Sequence, residues 1–212
     1  MSIAGRILLG AGILAALIVI APFALLATGT YRLFYIPSEA MLPTFDVGDK
    51  IVTRMSPPTP LNRGDIVLVN NGSGSMYIKR IAGLPGDRVA VQGGIVILNG
   101  RPVPQRQVGT ERVQPDAFGD TVRRLSEQFP GEASPHEIYD AGESVGDDFS
   151  EVTVPSGHVF LLGDNRDHSA DSRFSHEEQG LGGPVALTDV RGAPLFFYWT
   201  TGRHKVGDSA GH

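Results

Sequence analysis

A chain of 212 residues with no cysteine and a formal net charge of -5 has room for one modest domain with additions, and can form neither a disulfide framework nor a thiolate metal site. Lys and Arg are scattered rather than massed, which excludes a nucleic-acid surface, because phosphate binding needs clustered positive charge.

The first predicted element is a membrane anchor. Residues 7–31 carry no charge, and roughly 25 residues rising about 1.5 Å each span the hydrocarbon core of a bilayer. Pro22 is tolerated in such a helix, and Gly29 and Thr30 suit its outer end. A cleavable leader is the competing reading, since Ala27-Thr28-Gly29 is a small-x-small site, but the apolar run exceeds the length of a leader's core. Residues 1–6 then form a short N-terminal stub. Arg6 precedes the span while Arg32, Lys50 and Arg54 follow it, a distribution that leaves orientation open.

After the span the sequence reads as strands: "DKIVTRM", "GDIVLVNN", "SMYIKRIAG", "DRVAVQGGIVILNGRPV", "EVTVPSGHVFLLGD" and "PLFFYWT". They are rich in Val, Ile, Phe and Tyr, and Gly and Pro turn signals separate them. The predicted domain therefore covers residues 32–201 and is mostly β. Between them, residues 105–150 are polar and broken by Gly and Pro, and read as a surface excursion in which Asp120 to Phe129 could make one short helix. Residues 202–212 are polar and Gly-rich and are expected to be disordered.

Four stretches carry chemistry: "IPSEAMLPTFDVGD", "RGDIVLV", "YIKRIAGLPGDRV" and "GDNRDHSADSR". In order and spacing they resemble the successive motifs of bacterial type I signal peptidases, from the anchor to "LFFYW", with the excursion as the main departure. The resemblance implies an antiparallel β catalytic domain behind one N-terminal transmembrane helix. It implies a Ser-Lys endopeptidase of the bacterial inner membrane, N-terminus inside and catalytic domain outside, that cuts signal peptides of exported preproteins after small-x-small sites. Its partners would be signal peptides and the bilayer, and it implies no cofactor.

The chemistry such a site needs can be stated from residue types. A serine that attacks an amide needs a base, and a lysine serves only when neutral, so burial must lower its pKa of about 10.4. Lys79 lies in an apolar stretch with Met76, Ile78 and Ile81, and strand alternation points it inward and Arg80 to the opposite face. By resemblance Lys79 is the general base and Ser169 orients its amine. Arg80 is a structural partner for an acid such as Asp164, and Asp171 and Arg173 form a supporting ion pair. Read without the resemblance, Asp164, Arg166 and Asp167 belong to a solvated polar turn, and His158, His168 and His176 are surface residues with no zinc spacing.

The departure is in the first motif. The family places its nucleophilic serine where this chain has Ala40, and an oxyanion-hole hydroxyl where it has Ser38. A methyl group neither attacks a carbonyl nor transfers a proton, so the chain as written is expected to be catalytically dead or nearly so. Three readings of Ala40 stand side by side: a deliberate Ser→Ala substitution, a natural non-catalytic relative that binds exported chains at the membrane, and relocation of the nucleophile to Ser38. The last relies on residues 38 and 40 sharing one face of an extended strand, with Glu39 pointing away. Ile36, Met41, Phe45 and Ile78 fall where the family has its substrate-pocket walls, against ordinary core packing as the alternative. A peptide would add as a strand beside Ile36–Met41, and Phe34 and Tyr35 would sit at the bilayer interface. Soluble self-cleaving Ser-Lys repressors share the dyad but lack the anchor and the "GDNRD" stretch.

Overall fold

The computed structural model describes residues 26–116 and 119–211, so the N-terminal stub and most of the predicted anchor over 7–31 lie outside the described residues. Among the described residues no helix is long and apolar enough to cross a membrane. Leu26 and Ala27 are helical, and Tyr31, placed at the end of the predicted anchor, already opens the first strand.

The strands in chain order are β1 (Tyr31–Tyr35), β2 (Lys50–Arg54), β3 (Ile66–Asn70), β4 (Met76–Gly83), β5 (Arg88–Gln92), β6 (Ile95–Leu98), β7 (Arg101–Pro102), β8 (Gln105–Asp116), β9 (Gly119–Glu127), β10 (His136–Asp140), β11 (Phe149–Thr153), β12 (His158–Leu162), β13 (Val185–Ala186) and β14 (Val190–Trp199). A seven-stranded sheet runs β1-β2-β14-β3-β4-β12-β13, a four-stranded sheet β11-β5-β6-β7, and a three-stranded sheet β10-β9-β8. All the strand pairings are antiparallel, in line with the mostly β expectation.

Strand β14 breaks its register three times, between Val190 and Gly192 against β3 and between Pro194 and Phe196 and between Phe197 and Trp199 against β2. Pro194 has no N–H to give a ladder and is tolerated at a bulge. A side chain at Gly192 would collide with the Arg54 carbonyl, so glycine lets β14 and β2 approach.

Three apolar clusters fill the fold. Val89, Val96, Phe129, Phe160 and Leu162 join the four-stranded sheet to the large one, and Val67, Ile81, Leu161 and Val190 fill a second cluster. Ile36, Met41, Phe45, Ile51, Ile66 and Phe197 fill the third, beneath the first motif.

Two expectations are corrected. The segment Asp120 to Phe129 is not a helix: residues 119–127 are β9, paired with β8 on one side and β10 on the other. Two flanking ladders satisfy more backbone groups than a short isolated helix would. Most of the excursion is thus an inserted three-stranded sheet. The tail is not free either. Phe197 and Leu195 bond its backbone at Gly207, Asp208 and Ala210, the His204 ring stacks on Phe197 at 4.3 Å, and Ala210 is buried in the third cluster.

Candidate active site

Lys79 is on β4, paired through residue 67 with β3 and next to the pairing of Arg80 with Leu162 of β12. A central strand holds its side chains rigidly, and alternation sends Lys79 and Arg80 to opposite faces although only 3% and 2% of their surfaces are exposed. Lys79 lines a cleft of about 380 Å³ whose opposite wall is the first motif, with Ile36, Ser38, Ala40, Met41 and Phe45, and whose floor includes Leu68 and Ile78. Cavities of about 640 and 860 Å³ also lie outside this cleft. Their arginines, Arg63, Arg80, Arg112, Arg124 and Arg203, are each already held by a carboxylate.

Burial pushes the Lys79 amine down from its ordinary 10.5 to about 8, with Asp171 pulling it up and Arg173 pushing it down. A lysine in this range supplies neutral amine near physiological pH, the state a proton acceptor needs. Its Nζ sits 5.4 Å from the Tyr77 ring, and no carboxylate ion pair reaches it among the described residues.

Residue 40 is placed by its main chain. After β1 ends at Tyr35, the Leu42 N–H donates to Glu39 O at 2.9 Å and Phe45 N–H to Met41 O at 3.0 Å, turning the chain. The Asn165 N–H donates to the Ala40 carbonyl at 3.2 Å and Asn165 Nδ2 to the Glu39 carbonyl at 3.2 Å. The 163–173 segment is therefore strapped to the first motif. This turn also corrects the alternation argument for Ser38: residues 38 and 40 do not lie on one extended strand. Ser38 is exposed and Ala40 half-buried. A peptide beside Ile36–Met41 would meet a strand only as far as Tyr35.

Ser169 is buried, and its Oγ takes no hydrogen-bond partner among the described residues. It lies against Gly163, as does the Ala40 carbonyl, so tightly that a Cβ on Gly163 would overlap Ser169 and come within 2.5 Å of that carbonyl. Asp171 and Arg173 are both buried and paired through Arg173 Nε and Nη2, each at 2.9 Å. Asp171 also accepts the Gly163 N–H at 3.0 Å. The Asp171 carboxyl stays below the usual carboxylate range because Arg173 outweighs its burial.

The solvated-turn reading of Asp164 and Arg166 does not hold. Asp164 is 1% and Arg166 5% exposed. Asp164 takes Arg80 Nε at 2.8 Å, Arg80 Nη2 at 2.6 Å and the Thr44 hydroxyl, while Arg80 Nη1 donates to Gly64 O at 2.8 Å. Arg166 is held by Glu127, a residue to which no sequence motif points. Asp167 accepts the Ala141 N–H at 2.6 Å.

His168, expected on the surface, lines the cleft and approaches Glu39 at 3.7 Å. Phe34 packs on the third cluster and lines the cleft, whereas Tyr35, Leu33 and Trp199 are more than half exposed. Among the described residues no group of acids and histidines is arranged to hold a metal.

A profile of the family described as "Signal peptidase, peptidase S26" matches residues 9–199. The chain belongs to this family. Among its relatives is a signal peptidase I of Pseudomonas aeruginosa, 33% identical over 66% of this chain and 54% of its own length. Another, of Leptolyngbya laminosa, is 29% identical over 80% of this chain and 69% of its own. A third, of Bacillus caldolyticus, is 28% identical over 83% and 86%. The chain thus spans about half the length of the Pseudomonas relative. A crystal structure of a signal peptidase I from Enterococcus faecalis matches 65% of this chain and 98% of its own at 23% identity, with a TM-score of 0.36.

Proposed function

We propose that this chain is a signal peptidase I in which the nucleophile position is occupied by Ala40. The observation that carries this reading is a lysine buried to 3% exposure, its pKa lowered to about 8, in the same apolar cleft as residue 40. Residues 7–31 anchor it in the bacterial inner membrane, with the β domain on the outer side. The cleft takes the small-x-small end of a signal peptide in extended form; Ile36, Met41, Phe45 and Ile78 keep the pockets shallow.

In this reading Lys79 is the base, Ser169 orients its amine, and Ser38 with the residue-40 N–H forms the oxyanion hole. Arg80 with Asp164 and Arg173 with Asp171 hold the walls. With Ala40 there is no oxygen to attack the carbonyl, and the rate falls by on the order of 10⁶ from that of a complete site. The chain binds a signal peptide without cutting it.

The test is incubation of a purified preprotein carrying a small-x-small site with the full chain in detergent, as it stands and as Ala40→Ser. Cleavage only by Ala40→Ser, with kcat/KM rising as pH passes about 8, is the expected result. No cleavage by either form would replace this reading with that of a non-catalytic relative that binds exported chains at the membrane. Cleavage by the present chain that disappears in Ser38→Ala would move the nucleophile to Ser38.

A further inference from the structure

We propose that Glu127, on β9 of the inserted sheet, is a positioning residue for Lys79: by gripping Arg166 it keeps the 163–173 segment closed over the lysine. The inference rests on reading Lys79 as the amine of the site.

Glu127 is fully buried although it sits on what the sequence presents as a polar excursion. Its Oε1 accepts from Arg166 Nη1 at 3.0 Å and its Oε2 from Arg166 Nη2. All three strands of the inserted sheet converge on this carboxylate. Gln105 of β8 donates to Oε1 at 2.8 Å, and His136 of β10 places Nε2 3.3 Å from Oε2 while its Nδ1 meets Glu132 at 2.8 Å. Burial alone would raise the Glu127 carboxyl, but Arg166 and His136 hold it well below the usual range.

From Arg166 the grip passes into the segment. Arg166 Nε donates to the Gly163 carbonyl at 3.2 Å, and its own carbonyl accepts from Arg173 Nη2 at 2.5 Å. Arg173 in turn holds Asp171, which takes the Gly163 N–H. Arg166 thus ties both ends of the segment that brings His168 and Ala170 to the cleft and Ser169 against Gly163. The sheet's other links to this segment are Tyr139 N–H to Asp164 O at 2.8 Å and Ala141 N–H to Asp167. Neither of them reaches Gly163.

A guanidinium without its carboxylate is not retained in a dry site. With Glu127 neutral, Arg166 turns to water, the Gly163 carbonyl loses its donor and the Arg173–Asp171 pair alone holds that residue, and solvent reaches the Lys79 amine. Hydration returns a buried lysine toward its free pKa. Each unit of rise in that pKa removes about nine-tenths of the neutral amine at pH 7.

The experiment follows the Lys79 titration by nitrogen NMR in the full chain in detergent, for the present sequence, Glu127→Gln, Glu127→Asp, and Arg123→Gln as a control on the same strand. Arg123 pairs with Asp140 at the surface. In Glu127→Gln the Lys79 pKa should rise by about one unit or more from about 8. Glu127→Asp, with the charge kept but withdrawn by one methylene, should lie between, and Arg123→Gln should leave the value unchanged.

Placed on Ala40→Ser, Glu127→Gln should lower kcat about tenfold at pH 7 with little change in KM, the loss being regained toward pH 10. An unmoved or lowered Lys79 pKa in folded Glu127→Gln, or an equal rise in Arg123→Gln, overturns the proposal. If Glu127→Gln does not fold, the Glu127→Asp titration decides by the same measure. Failure of Ala40→Ser to cleave any preprotein would instead remove the peptidase reading and leave the titration result standing.

Discussion

Replacing Lys79 by methionine should stabilise this protein, and the size of the gain follows from the amine's environment. The unfolded chain holds the Lys79 proton up to its ordinary 10.5, whereas the folded chain releases it at about 8. At about 1.4 kcal/mol for each tenfold step, that gap is a penalty of roughly 3 kcal/mol whenever the pH lies below 8. Because the unfolded state binds the extra proton, stability rises with pH between about 8 and 10.5, and the penalty is gone above that. Methionine fills a similar volume with no charge.

Lys79→Met should therefore gain about 2–4 kcal/mol at pH 7, or about 4–16 °C in Tm for a domain of this size. The gain should shrink steadily as the pH approaches 10. Urea unfolding of the full chain in detergent, followed by circular dichroism at pH 7, 8, 9 and 10, measures it. A variant no more stable than the parent at pH 7, or a gain independent of pH, would show that Lys79 is hydrated in the folded state and refute its placement as a dry amine. Stability given up at one buried residue is a mark of a functional position.

Asp164→Asn should cost about 3–5 kcal/mol, because it leaves the Arg80 guanidinium buried without its main carboxylate; Arg80→Met combined with Asp164→Leu should recover most of that in the same unfolding assay, and an equal loss in both would count against the pair. His136→Gln tests the raised His136 ring: burial and Arg80 oppose its protonation, but the Glu127 carboxylate 3.3 Å from Nε2 and the hydrogen bond to Glu132, with Asp164 nearby, outweigh them. That contribution is fully present below about pH 6.5 and is lost as pH climbs through the raised folded value, so the parent's advantage of about 1–3 kcal/mol over His136→Gln should fade as the pH rises above about 6.5, and an advantage that grows would contradict it. Gly163→Ala should cost about 1–3 kcal/mol by overpacking Ser169 and the Ala40 carbonyl, and should abolish cleavage in Ala40→Ser; unchanged activity there would mean that the two segments are not in register during catalysis.

The parts of the site legible in the sequence are those fixed by local pattern. "SMYIKRIAG" has the length and composition of a central strand, and alternation alone separates Lys79 from Arg80. What stays hidden depends on contacts between distant segments. Val122, Leu125 and Phe129 in "TVRRLSEQF" recur at nearly helical spacing, and only the pairing of β9 with β8 and β10 decides for strand. Glu127 and Arg166, 39 positions apart, look like solvated charges until the fold brings them together in a dry place. The tail's polar, Gly-rich composition likewise conceals that Ala210 plugs the core beside Phe45 and Phe197. Strand alternation misplaces Ser38 because the chain past Tyr35 is a turn.

The geometry at residue 40 owes nothing to its side chain. Asn165 fixes its carbonyl, Gly163 packs against that carbonyl, and the Glu39–Leu42 bond sets the turn. A serine oxygen would add one atom to a half-buried residue that lines the cleft and replace none of these main-chain contacts. In the proposed reading, binding of an extended peptide depends on the cleft walls and covalent chemistry on that one oxygen, so the two functions are separable at this position. The present chain and its Ala40→Ser variant should then bind a non-cleavable signal peptide with the same Kd while differing in kcat by many orders of magnitude. A large difference in Kd would mean that the oxygen also shapes the cleft, and that residue 40 is held less firmly than its main-chain bonds require.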